Sequence, residues 1–109
     1  MIFCVDFDGT LVENAWPEIG QPKWNIVNKV KELQSKGHIV ILWTCRENEN
    51  LKKALDFCKD KLDLTFELTN ENVPALNEQF GNDCRKLGAD YYIDDKNLSL
   101  NEFISLNVD

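Results

Sequence analysis

The sequence predicts an α/β fold built on a mostly parallel central sheet. Short apolar, strand-like segments alternate with segments of helical periodicity in the order β-α-β-α-β-α-β-α. The run Ile39–Trp43 contains no polar residue, which is typical of a strand covered on both faces. We therefore expect a Rossmann-like three-layer α/β/α sandwich. At 109 residues, the chain should form one domain, residues 1–109.

Each element in the first half of the chain follows from a local pattern. Apolar residues run from position 1 to 5 and stop where two carboxylates begin, which predicts a strand. Two prolines and a glycine interrupt Leu11–Lys23, which we expect to be a loop. Apolar residues recur at helical spacing from position 26 to 33, and Gly37 supplies the helix stop. The second strand is predicted over His38–Thr44.

The second half continues the alternation. One face of an amphipathic helix runs from Leu51 to Leu62. Ser99 and Glu102 have the spacing of a capping box, which predicts a short terminal helix. Between them, the patterns predict a strand at Leu64–Leu68, a helix at Pro74–Phe80 with proline in its first turn, and a strand at Tyr91–Ile93.

Composition excludes several classes of protein. A net charge of −7 disfavours binding to nucleic acid over a broad surface, which needs clustered lysine and arginine. The four cysteines form no C-x-x-C pair, so a zinc site is not expected. The opening residues lack the features of a signal peptide, and no apolar run has the length of a membrane span. We therefore expect a cytoplasmic protein with reduced thiols and no contact with membranes.

Polar side chains follow three of the predicted strands. Asp6 and Asp8 end the first strand, Thr44 the second, and Asp94 and Asp95 the last. Because ligands of open parallel sheets bind beyond the carboxyl ends of the strands, these side chains should meet at one edge. Oxygen ligands of this kind favour Mg²⁺. An aspartate beside such a metal is able to attack phosphorus, so the sequence predicts phosphoryl chemistry.

These motifs resemble those of a known family. The segment Asp6-Phe-Asp8-Gly9-Thr10, Thr44 after an apolar strand, and Asp94-Asp95 after another are similar to the haloacid dehalogenase (HAD) superfamily, in its phosphatase branch and in its motif order. The resemblance implies a Mg²⁺-dependent phosphohydrolase that cleaves a phosphomonoester. Asp6 would be the nucleophile that forms an aspartyl-phosphate intermediate, and Asp8 the general acid and base.

The resemblance also implies a metal site and a phosphate site. Asp6, the Asp8 carbonyl and Asp94 would hold Mg²⁺, with Asp95 orienting a metal-bound water or a lysine. Thr44 would bind the transferring phosphate. The family's lysine would be Lys86, in preference to Arg85, Lys52 or Lys53. The further residues expected to line the phosphate or substrate are Gly9, Thr10, Cys45 and Arg46, the last with a pairing to Glu47 or Glu49 as the alternative.

Both places where the family inserts a cap domain are short in this sequence, so the resemblance implies a capless member. An open site would be rimmed by Trp16, Pro17 and Trp24, with the loop from Val12 to Lys23 as a small flap. An open site suits a phosphorylated small molecule or a phosphorylated polymer end, and makes a homo-oligomer worth testing.

Two other functions stay open at this point. A receiver-type signalling module also uses carboxylates, threonine, lysine and Mg²⁺ on a parallel sheet, but its phospho-acceptor lies at the third strand. Here that strand ends in Thr69-Asn70 without an aspartate. The other alternative is a non-catalytic phosphate-binding protein on the same fold.

Overall fold

Four parallel strands form the sheet in the computed structural model, which describes residues 1–108. The strands are β1 (Ile2–Val5), β4 (Ile39–Leu42), β5 (Leu68–Thr69) and β6 (Tyr91–Ile93). Their order in the sheet is β5-β4-β1-β6, so the first strand lies in the middle. This confirms the predicted α/β class and the parallel sheet.

The predicted helices are present. The Ser99 hydroxyl accepts a hydrogen bond from the Glu102 amide, and the Glu102 carboxylate accepts one from the Ser99 amide. This reciprocal pair confirms the capping box. The helices of the described residues are α1 (Trp24–Ser35), α2 (Asn48–Lys61), α3 (Pro74–Phe80) and α4 (Leu100–Ile104).

The prediction that Leu11–Lys23 is a loop is wrong. Strands β2 (Val12–Ala15) and β3 (Glu18–Pro22) pair there as an antiparallel hairpin. Gly20 serves a purpose other than breaking the chain, because a Cβ at this position would collide with the Glu13 carbonyl of the facing strand. The hairpin begins at Val12, four positions after Asp8.

The third strand of the parallel sheet lies later than predicted. Strand β5 comprises Leu68–Thr69 rather than Leu64–Leu68. Leu64 is almost fully buried, and its amide donates to the Cys58 carbonyl at the end of α2 (2.9 Å). The apolar residue at this position therefore packs in the core without joining the sheet.

Side chains of the central strands alternate between two apolar clusters. Phe3 and Val5 join the buried side chains of α1 and α2, whereas Cys4 joins Ile41 and Leu87. Cys4 and Cys58 are both buried. Burial raises the pKa of the Cys4 thiol to about 11 and that of Cys58 to about 12.

The segments that connect the strands are short in residues 1–108. The hairpin β2–β3 precedes α1, and α3 lies between β5 and β6. Neither position holds a separate domain in this part of the chain. None of the helices in this range has both the length and the apolar character needed to cross a membrane.

Candidate functional site

Three carboxylates meet at the carboxyl edge of the sheet. Asp6 follows β1 and Asp94 and Asp95 follow β6, the neighbouring parallel strand. The register pairs Val5 with Ile93, and the Asp6 amide donates to the Ile93 carbonyl (3.0 Å). One oxygen from each carboxylate lies within 4.8 Å of the others. The strand pairing thus assembles residues that are far apart in sequence.

The electrostatics of this cluster favour a cation. The pKa of Asp6 is raised to about 6, mainly by burial and also by the charges of Asp94, Asp95 and Asp8, against a lowering by the Phe7 amide. A carboxylate that is disfavoured by its acidic neighbours is stabilised by a metal ion among them. The donor set contains only oxygen atoms, which fits Mg²⁺.

Asp8 points to a different partner. The Arg46 Nε donates to Asp8 Oδ2 (2.7 Å), and Nη2 donates to Oδ1 (2.8 Å). Both oxygens of the carboxylate are therefore engaged in a bidentate salt bridge. The predicted alternative pairing of Arg46 with Glu47 or Glu49 is wrong, because the partner of this guanidinium is Asp8.

Arg46 is buried despite its charge, with only 1% of its surface exposed. Its remaining donors reach the carbonyl oxygens of Glu18 in the hairpin (3.0 Å) and Asn50 in α2 (3.4 Å). Its guanidinium carbon lies 5.2 Å from the ring centre of Phe7 and 4.8 Å from that of Trp16. Arg46 therefore joins the opening motif, the hairpin and α2.

Thr44 is held at the end of β4 by Asn70. The Thr44 amide donates to Asn70 Oδ1 (2.8 Å), and Asn70 Nδ2 donates to the Thr44 carbonyl (3.0 Å). The Thr44 hydroxyl accepts a hydrogen bond from the Arg46 amide (3.1 Å). Asn70 was not among the predicted site residues. The polar residues after the third strand were a signal for it, since that strand ends at the same edge.

Gly9 and Thr10 support the carboxylate cluster. Thr10 is buried, and its hydroxyl accepts a hydrogen bond from the Asp95 amide (3.0 Å). A Cβ on Gly9 would collide with the Asp95 carboxylate, and the φ of Gly9 is +86°. Both residues were predicted to line the phosphate. The structure instead places them where they position Asp95, while the Gly9 carbonyl accepts from Lys23 Nζ (2.7 Å).

A cavity of about 330 Å³ opens beside Asp6. Its wall contains four of the other predicted site residues, one residue predicted at the rim and two that were not predicted. Its volume is that of a small ligand site. The lining residues are Asp6, Asp8, Asn14, Trp16, Thr44, Cys45, Arg46 and Lys96.

The lysine that lines this cavity is Lys96. Lys86, the predicted residue, is not part of its wall, and the Lys86 ammonium instead lies 5.4 Å from the ring centre of Tyr92. The Lys96 amide donates to Asp94 Oδ1 (2.9 Å), which fixes the turn after β6. Lys96 directly follows Asp94 and Asp95 in the sequence, and this adjacency already indicated that Lys96 lies at the same edge of the sheet.

The three residues expected at the rim occupy different places. Trp16 lines the cavity, whereas Pro17 lines a separate cavity between the hairpin and α2. Trp24 is the first residue of α1 and is half-exposed. Cys45 is exposed on the cavity wall, as expected.

A solved structure of a conserved protein from Bacteroides thetaiotaomicron is similar to this chain throughout. The two share 41% sequence identity, with a TM-score of 0.78, over 90% of this chain and 78% of the Bacteroides chain. The chain belongs to the family of this conserved Bacteroides protein.

The chain is also similar to a heat-inducible transcription repressor, HrcA, from Desulforamulus reducens. It is 28% identical over 95 residues, which cover 87% of this chain and 24% of the repressor. The chain thus spans about a quarter of the repressor's length. No model of a known protein family matches the chain.

Proposed function

We propose that the protein is a Mg²⁺-dependent phosphohydrolase that cleaves a phosphomonoester through an aspartyl-phosphate intermediate on Asp6. In this proposal it is a capless member of the HAD superfamily with a Rossmann-like three-layer fold. The observation that carries it is the cluster of Asp6, Asp94 and Asp95, whose oxygens lie within 4.8 Å of one another beside a cavity that also contains Thr44.

The strand order supports this proposal over a receiver module. Counted along the chain, the four parallel strands are arranged 3-2-1-4, which is the order of the Rossmann fold, whereas receiver-like folds have the order 2-1-3-4-5. The order reverses at β1, and ligands of open α/β sheets bind at such a reversal. Asp6 follows β1, and Asp94 follows the strand beside it.

The first chemical step is an in-line displacement. An Asp6 oxygen attacks phosphorus, the bond between phosphorus and the ester oxygen breaks, and the alcohol leaves with a proton. Asp6, Asp94 and Asp95 would hold Mg²⁺, which neutralises charge between carboxylate and phosphate when bound. Water then attacks the aspartyl phosphate, which releases inorganic phosphate and restores Asp6.

Asp8 transfers protons in both steps of this proposal. Its two oxygens accept hydrogen bonds from Arg46, so the carboxylate is presented as a proton acceptor for the attacking water. Donation of a proton to the leaving alcohol requires one of these hydrogen bonds to be given up. Arg46 thereby orients the residue that moves the proton.

Thr44 and Lys96 are proposed to hold the phosphoryl oxygens. Thr44 is positioned by two hydrogen bonds with Asn70. Thr44 and Lys96 line the same cavity as Asp6. A hydroxyl and an ammonium supply donors for phosphate. Lys96 takes the role that the sequence assigned to Lys86, because Lys96 is the lysine of the cavity wall.

The decisive experiment measures hydrolysis of p-nitrophenyl phosphate by the wild type and by Asp6→Asn, each with Mg²⁺ and with a chelator. We expect turnover that requires Mg²⁺ and falls at least 10³-fold, an order-of-magnitude expectation for loss of a nucleophile, in Asp6→Asn. Asp56→Asn is the matched control, since Asp56 is an exposed carboxylate on α2. Wild-type turnover that survives in Asp6→Asn contradicts the proposal.

A role as a transcription repressor, the activity in the name of the Desulforamulus relative, is not favoured by this chain. Its net charge is −7, and the acidic residues at the candidate site would repel a phosphate backbone in the absence of a metal. The matched region is also a quarter of the repressor. The repressor's function therefore adds no second candidate.

A further inference from the structure

Trp16 combines exposure with a place in the wall of the candidate site. Its side chain is 55% exposed, and it lines the same cavity as Asp6, Thr44 and Lys96. A large apolar ring left open to water costs free energy that packing would have recovered. An exposed aromatic ring in a polar site therefore requires an explanation other than core packing.

Trp16 is held in place by contacts with Arg46 and Asn14. The buried Arg46 guanidinium lies 4.8 Å from the centre of the Trp16 ring, and the Trp16 amide donates to Asn14 Oδ1 within the hairpin turn (3.3 Å). Since Arg46 also donates to the Glu18 carbonyl, both ends of the turn are tied to the same support. A ring fixed in this way loses little conformational entropy when a ligand packs on it.

We propose that Trp16 is a stacking platform for a planar ring in the alcohol part of the substrate. The substrate class would be phosphomonoesters that carry a heteroaromatic or aromatic ring, with nucleoside monophosphates as the type that fits the polar cavity. This inference rests on the proposed function, because the phosphate is placed at Asp6. Stacking of a base on an aromatic side chain changes affinity by about tenfold or more.

Trp24 provides a matched control. It is exposed to a similar degree, 49% against 55% for Trp16, but it begins α1 and does not line the cavity. Replacing either tryptophan removes a similar amount of exposed apolar surface from the protein. A preference that depends on Trp16 alone must therefore come from the cavity.

The test compares substrates that differ in the ring, while both members of each pair carry the phosphate on a primary alkyl carbon. Adenosine 5′-monophosphate is paired with ribose 5-phosphate, and 2-phenylethyl phosphate with 2-cyclohexylethyl phosphate, so that the two pairs distinguish a nucleobase from a simple aryl ring. We expect the wild type to prefer the ring-bearing member of at least one pair by about tenfold in kcat/KM. Trp16→Ala should bring that ratio close to one, Trp16→Phe should keep most of it, and Trp24→Ala should leave it unchanged.

The ratio separates stacking from indirect effects through Arg46, since those act on both members of a pair. Equal kcat/KM within both pairs for the wild type, with turnover dependent on Asp6, overturns the platform and leaves the proposed function standing. Absence of any turnover overturns the proposed function. In that case calorimetric titration of adenosine 5′-monophosphate and ribose 5-phosphate tests whether Trp16 binds the adenine ring. Equal affinities of the wild type for the two ligands contradict the platform, and so does a preference for adenosine 5′-monophosphate that Trp16→Ala retains.

Discussion

The guanidinium of Arg46 and the carboxylate of Asp8 form a bidentate salt bridge, with Nε–Oδ2 at 2.7 Å and Nη2–Oδ1 at 2.8 Å, across 38 positions of sequence. The Arg46 side chain has no exposed surface, and that of Asp8 has 18%. One of the two aspartates of the opening motif is therefore held by a salt bridge to a buried cation. The strength of this salt bridge determines both the stability of the hairpin region and the orientation of Asp8.

Replacement of Arg46 by methionine should destabilise the protein by about 3 kcal/mol, because Asp8 is left without its cation in a partly buried position. Denaturant unfolding measures this free energy. The control is Lys52→Met, which breaks the exposed pair between Lys52 and Asp56 (3.2 Å) and should change stability by less than about 0.5 kcal/mol. A similar loss of unfolding free energy in the two variants would show that the buried pair stabilises the protein no more than the exposed pair does.

Asp6→Asn should stabilise the metal-free protein at alkaline pH. Burial and the neighbouring carboxylates raise the pKa of Asp6 from 3.8 to about 6, so the protonated form is favoured in the folded state. Stability from this group is fully present below about pH 4, near the reference aspartate pKa, and is lost as the pH rises through 6. The variant does not ionise and escapes this loss.

We expect Asp6→Asn to exceed the wild type by about 1 kcal/mol at pH 8, after allowance for screening by solvent. At pH 4 the difference should vanish. Urea unfolding with a chelator present measures both. A gap of equal size at the two pH values would mean that the ionisation of Asp6 is not its cause.

Gly9→Ala should weaken the carboxylate cluster through a direct collision with Asp95. Gly37→Ala is a close control, because Gly37 has a φ of +84° against +86° for Gly9 but has no atom within 4 Å of an added Cβ. Both variants bear the strain of a positive φ, about 1 kcal/mol. Gly9→Ala should in addition displace the exposed Asp95 carboxylate, which costs little stability because this end of the side chain can rotate away, but should lose Mg²⁺ affinity, measured by calorimetry, that Gly37→Ala keeps. Equal losses of Mg²⁺ affinity would contradict the contact with Asp95.

Thr10→Val should reduce the affinity for Mg²⁺ by about tenfold, since it removes the hydroxyl that accepts from the Asp95 amide. Thr10→Ser keeps that acceptor and should bind Mg²⁺ within about threefold of the wild type. Calorimetric titration compares the two variants. If serine and valine weaken binding equally, the hydrogen bond does not position Asp95.

The sequence predicted those parts of the molecule that depend on local pattern and on strand polarity. Apolar runs marked β1 and β4, a proline marked the start of α3, and Ser99 with Glu102 marked the terminal helix. The meeting of Asp6 with Asp94 followed from parallel pairing, because parallel strands deliver their carboxyl ends to one edge. The boundaries of β5 were missed, since Leu64 is apolar for core packing rather than for the sheet.

Interactions that join distant segments through side chains were decided by tertiary structure. Arg46 was open to several partners in sequence, and only the packing of the hairpin against α2 encloses it with Asp8. The position of Lys96 could have been predicted from strand polarity, because Lys96 follows β6 at the edge where the acids lie, whereas Lys86 precedes that strand. By itself, the sequence determined the fold class and the acids at the sheet edge, because these follow from periodicity and polarity. The support around those acids was decided by the fold, because buried charges and close backbone contacts exist only once the segments have packed together.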